Sequence, residues 1–220
     1  MKNKIVPFLK KLEQNNNREW FTENKSSFLE AKDQANLLFE QWFQKMEAWD
    51  ELDRLKKFRI YRDVRFSKNK TPYKTHFSAS ISRLKPQLRG GYYVEIKSDG
   101  VFLACGFWGP EKEDLFRIRK EIELDPVEFE SVVTQKSIVD VWGNLQGDGV
   151  KTAPKGFAKD TEGIEFIRKK QFVYFKELDI ESINDTDFAL SISNSFEAIK
   201  PFFDYMSAVL TTDLNGESMI

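Results

Sequence analysis

One cysteine and one histidine stand in a chain of 220 residues, and each scarcity closes off chemistry. With Cys105 alone, no intramolecular disulfide can form, and a cysteine-based zinc site lacks its ligands. With His76 alone, histidine-rich metal sites and a two-histidine, one-carboxylate iron site are excluded. No metal and no cofactor is expected. No P-loop, G-x-G-x-x-G, G-x-S-x-G or H-E-x-x-H pattern occurs. No run of about 18 apolar residues exists, which argues against a membrane span. The opening apolar stretch from Ile5 to Leu9 is too short for a signal-peptide core and meets Lys10 and Lys11 at once. The expected compartment is the cytoplasm.

What the chain does have is phenylalanine, at 20 residues, which predicts an aromatic-rich core. A hydrophobic fraction of 40% with 31% charged residues is a globular balance. The net charge is −1, yet its distribution is lopsided. Twelve of the 34 basic residues fall between Arg54 and Arg89, where Asp63 is the single acid. The remainder is correspondingly acidic. Such asymmetry calls for a negatively charged partner or for basic and acidic surfaces that meet within the protein or between copies of it.

Periodicity gives the outline. Asn15-Asn16-Asn17 breaks a short first helix and supplies N-caps for the next. From Arg18 to about Trp49 apolar residues recur at steps of three and four, predicting an amphipathic helix with a break near Asn24. The period then changes. Phe58, Ile60, Val64 and Phe66 alternate with polar neighbours and read as a strand. Thr75–Leu84, Tyr92–Lys97 and Val101–Phe107 follow as strands, the last two joined by the turn signal Asp99-Gly100. Helices are expected behind Pro110 and Asp125-Pro126, a surface loop over 143–160, helix over Thr161–Lys169 and a strand over Gln171–Leu178. The end reads as helix divided by Pro201. The fold class is thus α+β. An antiparallel meander of about four to five strands, over residues 58–107 plus 171–178, packs against long N- and C-terminal helices. Residues 1–212 form one domain and 213–220 a flexible tail.

The candidate site lies in the basic segment. Strict alternation places Arg62 among the apolar side chains of the strand over 58–66. A guanidinium there needs a partner: a ligand carboxylate or phosphate, or a protein carboxylate in a structural ion pair. Arg59, Tyr61 and Arg65 fall on the other face, and Lys70, Tyr73 and Lys74 come from the following loop. Together these residues suit a small anion, and as a solvated loop they would only blunt a sheet edge. His76 shares a polar face with Ser78, Ser80 and Ser82, and with Asp63 it is a weak candidate for acid–base work. Cys105 alternates with Val101, Leu103 and Phe107 and reads as core.

The run Arg59-Ile60-Tyr61-Arg62-Asp63-Val64-Arg65-Phe66-Ser67-Lys68-Asn69-Lys70-Thr71-Pro72-Tyr73-Lys74-Thr75-His76-Phe77 resembles the signature of a bacterial and fungal family catalogued as domain of unknown function 2461. Further matching stretches are Asn16 to Phe21 with Asn24-Lys25, Gly91-Tyr92-Tyr93, Gly106 to Pro110, Arg117-Ile118-Arg119, Pro154 to Phe157 and the stretch from Glu165 to Phe172, which contains Lys170. Two departures stand out. The family run reads Lys-Asp-Lys where this chain has Lys68-Asn69-Lys70, and it carries more glycines before Trp108 than the single Gly106 here. The resemblance implies one domain and brings no catalytic or binding residues.

These readings lead to three expectations. The first is binding of a small anionic, phosphorylated or carboxylated ligand, with or without turnover. The second is a non-catalytic interaction protein, as in a homo-oligomer whose basic strands face acidic helices. Nucleic acid comes third, because a near-neutral chain with a pI near 6.0 attracts a polyanion weakly.

Overall fold

The computed structural model describes residues 3–220. Its N-terminal half opens with helices α1 (Ile5–Gln14), α2 (Arg18–Glu23) and α3 (Lys25–Met46). Asn17 caps α2 by accepting a hydrogen bond from the Trp20 amide, and the expected break falls at Asn24. Strands β1 (Leu52–Lys57), β2 (Phe77–Arg83), β3 (Gly91–Ile96) and β4 (Gly100–Phe107) follow. Then come helices α4 (Lys112–Leu124), α5 (Pro126–Val133), α6 (Lys136–Trp142) and the single turn α7 (Ile164–Ile167). Strand β5 (Phe172–Asp179) completes the sheet, and α8 (Phe188–Glu197) and α9 (Lys200–Thr211) end the fold, divided just before Pro201. Among the described residues, no helix is long and apolar enough to cross a membrane.

The sheet is an antiparallel meander in the order β1-β2-β3-β4-β5. One face carries Phe77, Ala79 and Ile81 of β2, Tyr92, Val94 and Ile96 of β3, Leu103 and Cys105 of β4, and Phe172 and Tyr174 of β5. These residues form one buried cluster with the apolar stripes of the helices, among them Phe28, Phe39 and Trp42 of α3 and Phe196, Phe202 and Phe203 of α8 and α9. The aromatic core expected from composition is present: Phe107, Tyr92 and Tyr174 meet Phe202 or Phe203 at centroid separations of 5.1–6.0 Å.

The first strand is not where alternation put it. β1 occupies Leu52–Lys57, and Phe58–His76 is an irregular connection to β2. Phe66, expected on the core face, is 97% exposed. The reason is β1's place at the edge. Its sequence LDRLKK is one that a free edge tolerates, where lysines stand in water and discourage pairing with another chain. A bulge between Leu52 and Arg54 further blurs its period. Two smaller corrections concern helices: α6 lies in a stretch not foreseen, and the helix expected over Thr161–Lys169 shrinks to α7.

Candidate functional site

α3 turns Phe28, Ala31, Ala35 and Phe39 into the core. Lys25, Leu29, Lys32 and Asn36 occupy the stripe beside them, at steps of four, three and four. The chain leaving β1, from Lys57 to Tyr61, runs opposite that stripe. Between the two lies a cleft of about 490 Å³ with Phe28, Phe39, Phe58 and Phe77 among its lining. That size is in the ordinary range for small-molecule sites.

Its charge is one-sided. Lys25, Lys32, Lys57 and Arg59 line it, and no acidic side chain does. Lys57 is ion-paired with Glu40. Lys25 donates to the Tyr61 hydroxyl at 3.1 Å and sits 5.0–5.7 Å from the rings of Phe21, Phe28 and Tyr61. Lys32 and Arg59 make no hydrogen bond or ion pair among the described residues.

The wall bearing Arg59 and Tyr61 is pinned. Tyr61 and Tyr73 form an isolated antiparallel bridge; the Arg62 amide donates to the Pro72 carbonyl and the Lys74 amide to that of Ile60. Asn16, in the corner between α1 and α2, meets both backbone groups of Tyr73: its amide donates to the carbonyl at 3.0 Å and its oxygen accepts from the N–H at 3.1 Å. The Tyr73 ring stacks on Phe21 at 3.9 Å. The asparagine run and the tyrosine of the long basic motif thus meet in space.

The remaining candidates separate. Arg62 is half-buried and donates to Thr71 Oγ1 at 2.9 Å. It has no carboxylate partner among the described residues, because it stands on a loop and not amid an apolar strand face. Arg65 forks onto Asp63, and this pair is exposed. The hydrogen bonds from Arg65 hold the Asp63 carboxyl below the usual range, so Asp63 is committed to that pair. Lys70 donates to the Val64 carbonyl. Asn69, where the family run reads aspartate, accepts from the N–H and the hydroxyl of Thr71. Tyr73 is buried. Lys74 sits 5.3 Å from the Phe58 ring.

His76 belongs to a second group, on the sheet face turned away from the helices. Its Nε2 lies 3.5 Å from Glu95 Oε2, which also accepts from the Tyr93 hydroxyl at 2.5 Å. Burial pulls the imidazole pKa down; Glu95 opposes this, while Lys74, Lys97 and Arg62 reinforce it. Arg62 and Lys74 therefore converge on His76, and Arg59 and Tyr61 on the cleft. In the sequence Lys25 stands out only within a family-like stretch and Lys32 not at all, although their i, i+7 spacing on a predicted helix is a usable signal. Glu95 and Tyr93 were hidden because cross-strand register is not written in one strand's sequence.

No curated protein and no solved structure matches the chain. The pattern of one family, described as conserved hypothetical protein (DUF2461), matches residues 4–205. A match of that length means that the chain belongs to the DUF2461 family.

Proposed function

We propose that this protein binds a small anionic ligand, phosphorylated or carboxylated, in the cleft between α3 and the segment from Lys57 to Tyr61. One observation carries this reading: four cationic side chains line the cleft, none of its lining residues is acidic, and two of the cations, Lys32 and Arg59, make no hydrogen bond or ion pair among the described residues. Like charges that outnumber their counter-ions repel one another, and a bound anion relieves that repulsion. Arg59 supplies a planar fork for two ligand oxygens, and Lys32 a mobile point charge. The phenylalanines lining the cleft suit a ligand with an aromatic or apolar body.

Thermal unfolding with inorganic phosphate, pyrophosphate, nucleoside monophosphates and aromatic carboxylates tests the reading. A ligand at a hundred times its dissociation constant adds about 2.7 kcal/mol of stability. The double variant Arg59→Ala, Lys32→Ala is expected to lose that response while its own stability changes by less than about 0.5 kcal/mol per site. No response to any of these anions, or an equal response in the variant, overturns the proposal.

A further inference from the structure

The sheet's second face presents three cross-strand rows away from the core. They are Ser82–Gly91–Gly106–Val173, Ser80–Tyr93–Ala104–Phe175 and Ser78–Glu95–Phe102–Glu177. Ala104 and Val173 are shielded from solvent, yet neither belongs to the core cluster, which confirms that these rows point the other way. Aromatic rings cross this face in an unbroken series. Phe58 meets Tyr93 at 6.1 Å, Tyr93 meets Phe102 at 6.4 Å, Phe102 meets Phe175 at 5.4 Å and Phe175 meets Trp108 at 5.8 Å. Trp108, at the far end, is 63% exposed. Between Tyr93 and Trp108 lies a shallow groove of about 210 Å³ over Ser80, Gly91, Ala104 and Gly106, whose small side chains leave room for a planar ring.

Cations are set among these rings. Lys56 and Lys74 lie 5.1 and 5.3 Å from the Phe58 ring, and Lys97 lies 5.5 Å from Phe102. The two acids in the rows differ in their commitments: Glu95 is engaged by Tyr93, His76 and Lys97, and Glu177 stands exposed on the last strand. We infer that this face docks a single-stranded oligonucleotide, its bases stacking along the aromatic series and its phosphates meeting Lys56, Lys74 and Lys97. Aromatic rings interleaved with cations on a sheet are the chemistry that binds unpaired bases whatever their sequence. A duplex, with its bases already stacked on each other, has no such faces to offer.

The near-neutral overall charge sets the character of this binding. Three phosphate contacts predict a shallow salt dependence, with a slope of log K against log salt near about −2 for a single strand. Affinity then rests on stacking; the series shares Phe58 with the lining of the cleft at Arg59 and runs from there across the sheet to Trp108.

Fluorescence anisotropy with labelled ten-nucleotide oligo-uridine and oligo-thymidine, against a ten-base-pair duplex, tests the inference. The single strands are expected to bind and the duplex not. Trp108→Ala and Phe102→Leu, each checked for native unfolding behaviour, are expected to weaken binding about tenfold, and Arg59→Ala to leave it unchanged. Overturning results are an absence of single-strand binding, equal binding of the duplex, or affinity indifferent to both aromatic variants. Loss of binding in Arg59→Ala with the aromatic variants unaffected assigns the oligonucleotide to the cleft and also overturns it.

Discussion

Arg83 and Asp50 form a forked ion pair from which solvent is excluded: Arg83 Nε and Nη2 each donate to Asp50 at 2.9 Å, and the two side chains are 0% and 1% exposed. Asp204 accepts from the same guanidinium at 2.8 Å, the Tyr92 hydroxyl donates to Asp50 at 2.5 Å, and Ser207 accepts from Arg83 at 3.3 Å. Burial works against the charge on Arg83, but the hydrogen bonds to Asp50 and Asp204 outweigh it and hold the pKa above its ordinary value. Arg83→Met leaves Asp50 buried without its counter-charge, and a loss of about 3–5 kcal/mol is expected in denaturant unfolding. Adding Asp50→Leu should cost less than the sum of the two single changes. Full additivity would show that the pair is not coupled.

His76 is the sole histidine, so its proton resonances identify themselves. Burial, reinforced by Lys74, Lys97 and Arg62 against the pull of Glu95, places its midpoint below the ordinary value of about 6.5. As pH falls below that value the unfolded chain takes the proton first. The contribution of His76 therefore lowers stability between about pH 6.5 and the folded midpoint, and is constant outside that window. A proton NMR titration is expected to give a depressed midpoint that rises in Lys97→Ala. A midpoint at or above 6.5 in the native protein would refute this.

Cys105 points into the core from β4, and burial raises its thiol pKa well above the ordinary range. The thiolate needed for reaction is thus both rare and shielded. An aromatic disulfide reagent should label it only as fast as the protein unfolds. Labelling within seconds under native conditions would mean that this part of the sheet opens freely.

Gly106 has φ +126°, and a Cβ there would lie 2.2 Å from the Phe172 carbonyl oxygen of β5. Gly106→Ala combines backbone strain with displacement of the neighbouring strand, and is expected to cost about 3 kcal/mol or more. Gly109→Ala, whose Cβ meets nothing within 4 Å, serves as the control and should stay within about 0.5 kcal/mol. Equal stabilities would show that β4 and β5 yield more readily than their packing indicates.

The sequence disclosed the fold class, the meander from Thr75 onward and the division before Pro201, because hydrophobic period and proline geometry are local properties. It misled at β1, where an edge strand needs no apolar alternation and Phe58–Phe66 mimicked one. A guanidinium on an apolar strand face must be charge-paired, and the residue in that position is Arg83 rather than Arg62: it alternates with Phe77, Ala79 and Ile81. Of the candidate ligand residues, Arg59 and Tyr61 reach the cleft. Lys25 and Lys32 could not be joined to them from sequence, since nothing local says that α3 runs beside the end of β1.

The Asn16 side chain has a consequence for the connection it grips. Nineteen residues separate β1 from β2, and a loop of that length would ordinarily sample many shapes. By standing in for a neighbouring strand at Tyr73, across 57 positions of sequence, Asn16 divides that length into shorter closed arcs and fastens it to the first helices. The segment that carries Arg59 is therefore preorganised. Whatever reaches it meets a wall already ordered by the N-terminal corner of the fold, and the entropy of arranging that wall is met in folding and not in binding.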